Sequence, residues 1–98
     1  MNKIIIYRQA ENDLNNIASY IKKDGIEIAN KVLNDFYKLF QSAAQFPEMG
    51  ILPKDKNLIN RGYRMILSNN YLIFYTVTKE EIQIHRILHG ASNYKDIL

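Results

Sequence analysis

The alternation of apolar and polar side chains divides the chain into strand-like and helix-like stretches. Lys3-Ile4-Ile5-Ile6-Tyr7 is a run of β-branched and aromatic residues that breaks at Arg8, which predicts a short strand with little exposure on either face. From Gln9 the period changes. Ala10, Leu14, Ile17, Ala18 and Ile21 recur three and four positions apart, while Glu11, Asn12, Asn15, Asn16, Lys22 and Lys23 take the opposite side of an amphipathic helix. Glu11 and Asp13 fall in its first turn and Lys22 and Lys23 in its last, as the helix dipole favours, and Gly25 offers a left-handed stop. Ala29, Val32, Leu33, Phe36, Leu39, Phe40 and Ala43 then keep register along a second helix of roughly five turns, ended by Pro47 after Phe46. Two helices joined by so short a turn predict an antiparallel hairpin.

Pro47, Gly50 and Pro53 punctuate a polar connection that runs to about Asn60 and is read as one long loop. Beyond it the period shortens to two, in Tyr63–Leu67, Tyr71–Val77 and Ile82–Leu88. Ser68-Asn69-Asn70 and Thr78-Lys79-Glu80-Glu81 are short enough to be hairpin turns, so these three strands predict an antiparallel meander. The middle strand is apolar on both faces and belongs inside the sheet. The fold class that follows is α+β in the order β-α-α-β-β-β, with the first strand in the same sheet and the helical hairpin over one face.

Ninety-eight residues, 47% of them hydrophobic, suffice for one core and not two, so residues 1–98 are read as a single domain. No apolar run approaches the roughly 20 residues of a membrane span, and no signal-like segment opens the chain. The expected compartment is the cytoplasm, with no membrane partner. The absence of cysteine excludes a disulfide framework, a thiolate metal site and a cysteine nucleophile. The net charge of +3 is unevenly placed: residues 1–50 balance, and the excess lies wholly beyond residue 50. That half presents either ordinary solubilising charge or a surface for an anionic partner.

His85 and His89 are the only histidines, four apart on one predicted strand, so alternation puts them on the same side about 13 Å apart, too far for one metal ion. No phosphate loop, nucleophile elbow or paired acidic motif is present, and no cofactor is expected. The remaining candidates are Arg61, Arg64, His89, Tyr94 and Lys95, on or beside the sheet. Arginine can stabilise the charge of a phosphorane, and histidine or tyrosine can move protons, without a metal. Each also has an ordinary structural role: Arg64 edging a strand, Tyr94 packing its ring on the core, His89 bonding a turn. Tyr7, Tyr20, Tyr37 and Tyr63 are expected to be half-buried core residues. Arg86 alternates with Ile82, Ile84 and Leu88 toward the core, where an arginine needs a carboxylate partner such as Asp13.

Nearly the whole chain resembles the RelE/ParE superfamily of type II toxin-antitoxin toxins. Ala10-Glu11-Asn12-Asp13-Leu14 through Ile17-Ala18-Ser19-Tyr20-Ile21 is similar to the first helix of that superfamily, and Phe46-Pro47-Glu48-Met49-Gly50 to its Pro-x-x-Gly loop. Tyr71-Leu72-Ile73-Phe74-Tyr75 and Arg86-Ile87-Leu88-His89-Gly90 resemble its closing strands. The resemblance implies a growth-inhibitory toxin with a cognate antitoxin, assembled as a hetero-oligomer, and leaves two activities open. RelE-like members cut mRNA on the ribosome, but the positions of their basic residues hold Tyr63, Met65, Leu72 and, at about the last of them, Ser92. A YoeB-like branch pairs an arginine with a histidine, for which Arg64 and His89 are counterparts and Tyr94 a further candidate. ParE-like members act on DNA gyrase and end their last strand in Arg-x-Leu-His-Gly. That run is present, although the arginine-aspartate pair that follows it in the family is replaced by Ser92-Asn93. The resemblance therefore implies a ParE-like toxin with Arg61, Arg64, His89 and Lys95 facing its target, and Arg86 and Gly90 in structural roles. An inactive relative kept as an interaction domain is the remaining alternative.

Overall fold

The computed structural model describes residues 2–98. In chain order they form β1 (Lys3–Ile6), α1 (Arg8–Ile21), α2 (Ile26–Gln45), α3 (Lys56–Asn60), β2 (Arg64–Ser68), β3 (Tyr71–Val77), β4 (Glu81–His89) and the single turn α4 (Tyr94–Ile97). The last three strands make the expected antiparallel meander, and β1 lies parallel to β4, giving the order β1-β4-β3-β2. Asn69 and Asn70 close the first hairpin with φ of 52° and 68°. A two-residue turn of type I′ needs both angles positive, and asparagine tolerates that backbone better than most residues.

The helical hairpin covers one face, as its apolar stripes require. Leu14 and Ile17 of α1 and Phe36, Phe40 and Ala43 of α2 pack on Ile73, Tyr75, Ile82, Ile84 and Ile87 of the sheet. The other face carries a second, smaller cluster of Leu58, Tyr63, Phe74 and Leu88, covered by α3 and the C-terminal turn.

Several local expectations are corrected. The connection after Pro47 is not one loop, because the Asp55 carboxylate accepts from the Leu58 amide at 3.1 Å and caps α3. Ile51 also pairs with Met65 on the outer side of β2. The second helix begins at Ile26, before Ala29, and Lys22–Asp24 is a 3-10 turn, not the end of α1. Gly25 sits at φ 127°, ψ 142°, outside the left-handed helical region and in extended backbone that only glycine adopts freely. Of the four tyrosines assigned to the core, Tyr63 is buried, whereas Tyr7, Tyr20 and Tyr37 are exposed.

The most consequential difference lies between β3 and β4. Tyr75 pairs with Ile84 and Phe74 with Arg86, so His85 is an extra residue in a β-bulge. Before the bulge Ile82 and Ile84 face the helices; after it Ile87 does, and Leu88 turns to the other cluster. Strict alternation, which grouped Arg86 with Ile82, Ile84 and Leu88, fails here, and His85 and His89 end on opposite faces. Arg86 still meets Asp13. Its Nε and Nη2 donate to the Asp13 carboxylate at 2.8 and 3.0 Å, and the Ile87 amide donates to the same carboxylate at 2.9 Å. This contact holds the Arg86 guanidinium above its ordinary pKa.

The turn geometry can be tested by denaturation. Asn70→Val forces a β-branched residue into left-handed backbone and is expected to cost about 1–2 kcal/mol, whereas Asn70→Gly leaves stability equal or higher. Equal urea midpoints for the two variants would contradict the assigned turn.

Candidate functional site

Tyr75 organises the region between the end of α2 and β2. Its ring is fully buried in the sheet's helix-side core, and its hydroxyl accepts from the Gly50 amide at 2.9 Å and donates to the Pro47 carbonyl at 2.8 Å. Burial raises its pKa, so the phenol stays protonated and keeps donating. A Cβ on Gly50 would lie 2.6 Å from that hydroxyl, which explains the glycine of the Pro-x-x-Gly loop without invoking turn conformation. Arg64, at the start of β2, completes the clamp: its Nη1 donates to the carbonyls of Gly50 at 2.8 Å and Glu48 at 3.3 Å. The pinned loop borders an open groove of about 660 Å³ lined by Phe46, Pro47, Met49, Arg64 and Val77. Phe46, Met49, Ile51 and Leu52 expose their apolar side chains along one stretch of chain.

The other candidates lie elsewhere. His89 ends β4, its ring set edge-on to Tyr71 at 5.6 Å and its Nδ1 accepting from the Ala91 amide at 3.2 Å. Cross-strand pairing puts Arg64 opposite Tyr75 and His89 opposite Tyr71. The two side chains are therefore about 13 Å apart along the strand direction, at opposite ends of the sheet. They do not form the arginine–histidine pair of a nuclease. Tyr94 stacks on Phe74 at 5.0 Å on the far face, with Lys95 exposed beside it. Arg61 caps the end of α3 and lies 5.2 Å over the Tyr63 ring. Gly90 donates its amide to the Asn70 carbonyl at 2.8 Å, and a Cβ there would come within 3.3 Å of the same oxygen, so it serves close contact with the hairpin turn.

One polar cluster escaped the sequence reading. His85 lies between the edges of Tyr7 and Tyr63, with ring centroids 4.5 and 5.0 Å away. Gln83 must donate to the Glu81 carboxylate, at 3.0 Å, so its oxygen accepts from Thr76, at 2.7 Å. The Thr76 oxygen then has only lone pairs left for His85 Nε2, 2.7 Å away, which fixes the tautomer as Nε2–H. Burial, reinforced by the charge of Arg61, holds the His85 pKa below 6.5. Alternation with Ile82 and Ile84 already places His85 on this face, beside Gln83, but no motif in the sequence announces the cluster. Among the described residues no group of three His, Asp or Glu side chains is placed to share a metal ion.

Comparison with known proteins adds a family. A family model described as the ParE toxin of the type II toxin-antitoxin system parDE matches residues 4–94. The chain belongs to the ParE toxin family. It is 26% identical to Toxin ParE3 of Caulobacter vibrioides over 94 residues, covering 95% of this chain and 91% of that protein. It is also similar to a solved chain of the chromosomal ParDE TA system from P. aeruginosa, with a TM-score of 0.74, 25% identity, and coverage of 91% of this chain and 96% of that one. As a ParE-family toxin it keeps the strand-end Arg86-Ile87-Leu88-His89-Gly90, and the structure shows that run divided: Arg86 bonds α1, His89 the chain just beyond β4, and Gly90 the hairpin turn.

Two outcomes check this geometry. Tyr75→Phe leaves the Gly50 amide and the Pro47 carbonyl without partners and is expected to cost about 1–3 kcal/mol, with faster amide exchange at Gly50. Unchanged stability and exchange would show that the hydroxyl does not hold the loop. For His85, the folded pKa lies below the unfolded value of 6.5, so the unfolded chain binds the proton more tightly. Its contribution to stability is present above pH 6.5 and lost as the pH falls through the lower folded value. Urea titrations at pH 7 and pH 5 should show a smaller acid-induced loss in His85→Gln than in the parent; equal losses would refute the assignment.

Proposed function

We propose that this ParE-family toxin arrests growth by binding DNA gyrase in the cytoplasm, without hydrolytic chemistry of its own, and that a cognate antitoxin silences it in a toxin–antitoxin hetero-oligomer. The observation that carries the gyrase reading is the dispersal of the basic and proton-transferring residues. A metal-free nuclease needs its acid, base and charge-stabilising groups converging on one phosphate. Here Arg64 bonds the Pro47–Gly50 loop, His89 lies at the other end of the sheet, and Tyr94 packs on Phe74 across the far face. Inhibition by binding needs no such convergence. It needs an exposed surface with anchors, and the stretch Phe46, Met49, Ile51 and Leu52 beside Arg64 and Lys54 supplies apolar area flanked by positive charge.

The antitoxin reading rests on family membership and on the description of the P. aeruginosa relative as part of a ParDE system. The surplus of lysine and arginine beyond residue 50 favours an acidic partner.

Purified protein should inhibit gyrase supercoiling at concentrations that arrest growth and leave ribosome-bound mRNA intact, and His89→Ala should still arrest growth. Cleavage of mRNA with gyrase unaffected would overturn the gyrase assignment.

A further inference from the structure

The hydrogen bonds around His85 run one way and leave an unpaired atom at their open end. The His85 Nε2–H donates to Thr76, Thr76 to Gln83 and Gln83 to Glu81, so the chain finishes on the Glu81 carboxylate. At the other end Nδ1 keeps a free lone pair: no described residue bonds it, and it is not sealed from solvent. Protonation would fill that lone pair, but burial and the charge of Arg61 hold His85 below its ordinary pKa. At neutral pH the ring therefore waits for a donor.

Arg61, Tyr63, Thr76, Thr78, Gln83 and His85 line one open dish of about 520 Å³. That volume falls within the roughly 300–1,000 Å³ of small-ligand sites. Three donors on its wall are as free as the lone pair. Arg61 belongs to neither ion pair of the described residues and lies over the Tyr63 ring. The Tyr63 hydroxyl has no partner among the described residues, although the residue is buried. Thr78 Oγ1 accepts from the Glu81 amide at 3.0 Å, which leaves its own proton to give. No carboxylate lines the dish, and Glu81 beside it is engaged by Gln83.

We propose that this dish binds a small ribose phosphate, whose phosphate takes Arg61 and the hydroxyls of Tyr63 and Thr78 while a sugar hydroxyl donates to His85 Nδ1. Simpler ligands fail at one end. A bare anion suits Arg61 but sets negative charge against the lone pair. A neutral alcohol fills the lone pair but leaves the guanidinium unmatched. A phosphate monoester presents three strong acceptor oxygens, one for each donor, and the ribose supplies the hydroxyl. Inorganic phosphate has an O–H of its own but leaves most of the dish empty. A free sugar phosphate and a mononucleotide share the required chemistry. The site binds without reacting, and it depends on neither the gyrase nor the antitoxin reading.

The test is calorimetric titration of the full-length toxin with ribose 5-phosphate, adenosine monophosphate, methyl phosphate and inorganic phosphate, joined to nitrogen NMR of the histidine rings. Ribose 5-phosphate should bind saturably, with a Kd of about 1 mM or below. It should also move the His85 Nδ1 resonance in the direction of an accepted hydrogen bond, while Nε2 keeps its proton. Methyl phosphate and inorganic phosphate, which lack the sugar, should bind about tenfold or more weakly. Arg61→Gln, a change at an exposed side chain, should weaken ribose 5-phosphate by about tenfold as well. Tighter binding of adenosine monophosphate would assign the site to mononucleotides, and equal or weaker binding to sugar phosphates; both uphold the proposal. Absence of saturable binding by either ligand would overturn it. So would methyl phosphate binding as tightly as ribose 5-phosphate, an affinity that Arg61→Gln leaves unchanged, or an Nδ1 resonance that does not move.

Discussion

A single carboxylate joins the two layers of this protein. β1 ends at Ile6 because the chain must enter α1 at Arg8, whereas β4 continues to His89, so the end of β4 has no strand beside it. Asp13 on α1 takes the place of the missing strand, accepting from the Ile87 amide as a neighbouring backbone carbonyl would. The same group binds Arg86 through two hydrogen bonds and neutralises it where only 21% of the arginine side chain and 12% of the aspartate remain exposed. Removing one member strands a largely buried charge, while the pair together satisfies both charges and an edge amide.

The bulge at His85 and this ion pair depend on each other. Without the extra residue Ile87 would not present its amide to α1, and without Asp13 the bulged strand would lose the bonds that hold its end. The bulge also distributes the polar side chains. His85 and Arg86 fall on the outer face, Ile87 returns to the helix-side core, and His89 stands far from Arg64. Residues so dispersed offer a surface for contact, which is what the proposed function asks of them.

Much of this was readable in the sequence because the signals were periodic. The spacing of Leu14, Ile17 and Ile21 and the alternation in Tyr71–Val77 each match one element, and the pairing of Arg86 with a helix carboxylate followed from the cost of burying an arginine. Features without periodicity were not readable. A β-bulge adds one residue and leaves no compositional mark, so the faces of Arg86, Leu88 and His89, which follow it, came out wrong. The five residues of α3 are too few to show a helical period, although Asp55 is a capping residue type. The Tyr75 hydroxyl, which holds the Pro47–Gly50 loop, lies 25 residues from Gly50 in the chain, and nothing local to either residue announces the contact.

The claim that one carboxylate ties α1 to the bulged strand is tested most directly by a double-mutant cycle on folding stability, using Asp13→Ala, Arg86→Ala and the double variant. The account predicts strong coupling, roughly 2 kcal/mol, with the double variant no less stable than the worse single one. Additive losses within about 0.5 kcal/mol would mean that the two side chains act independently, and that Asp13 is not what holds the end of β4.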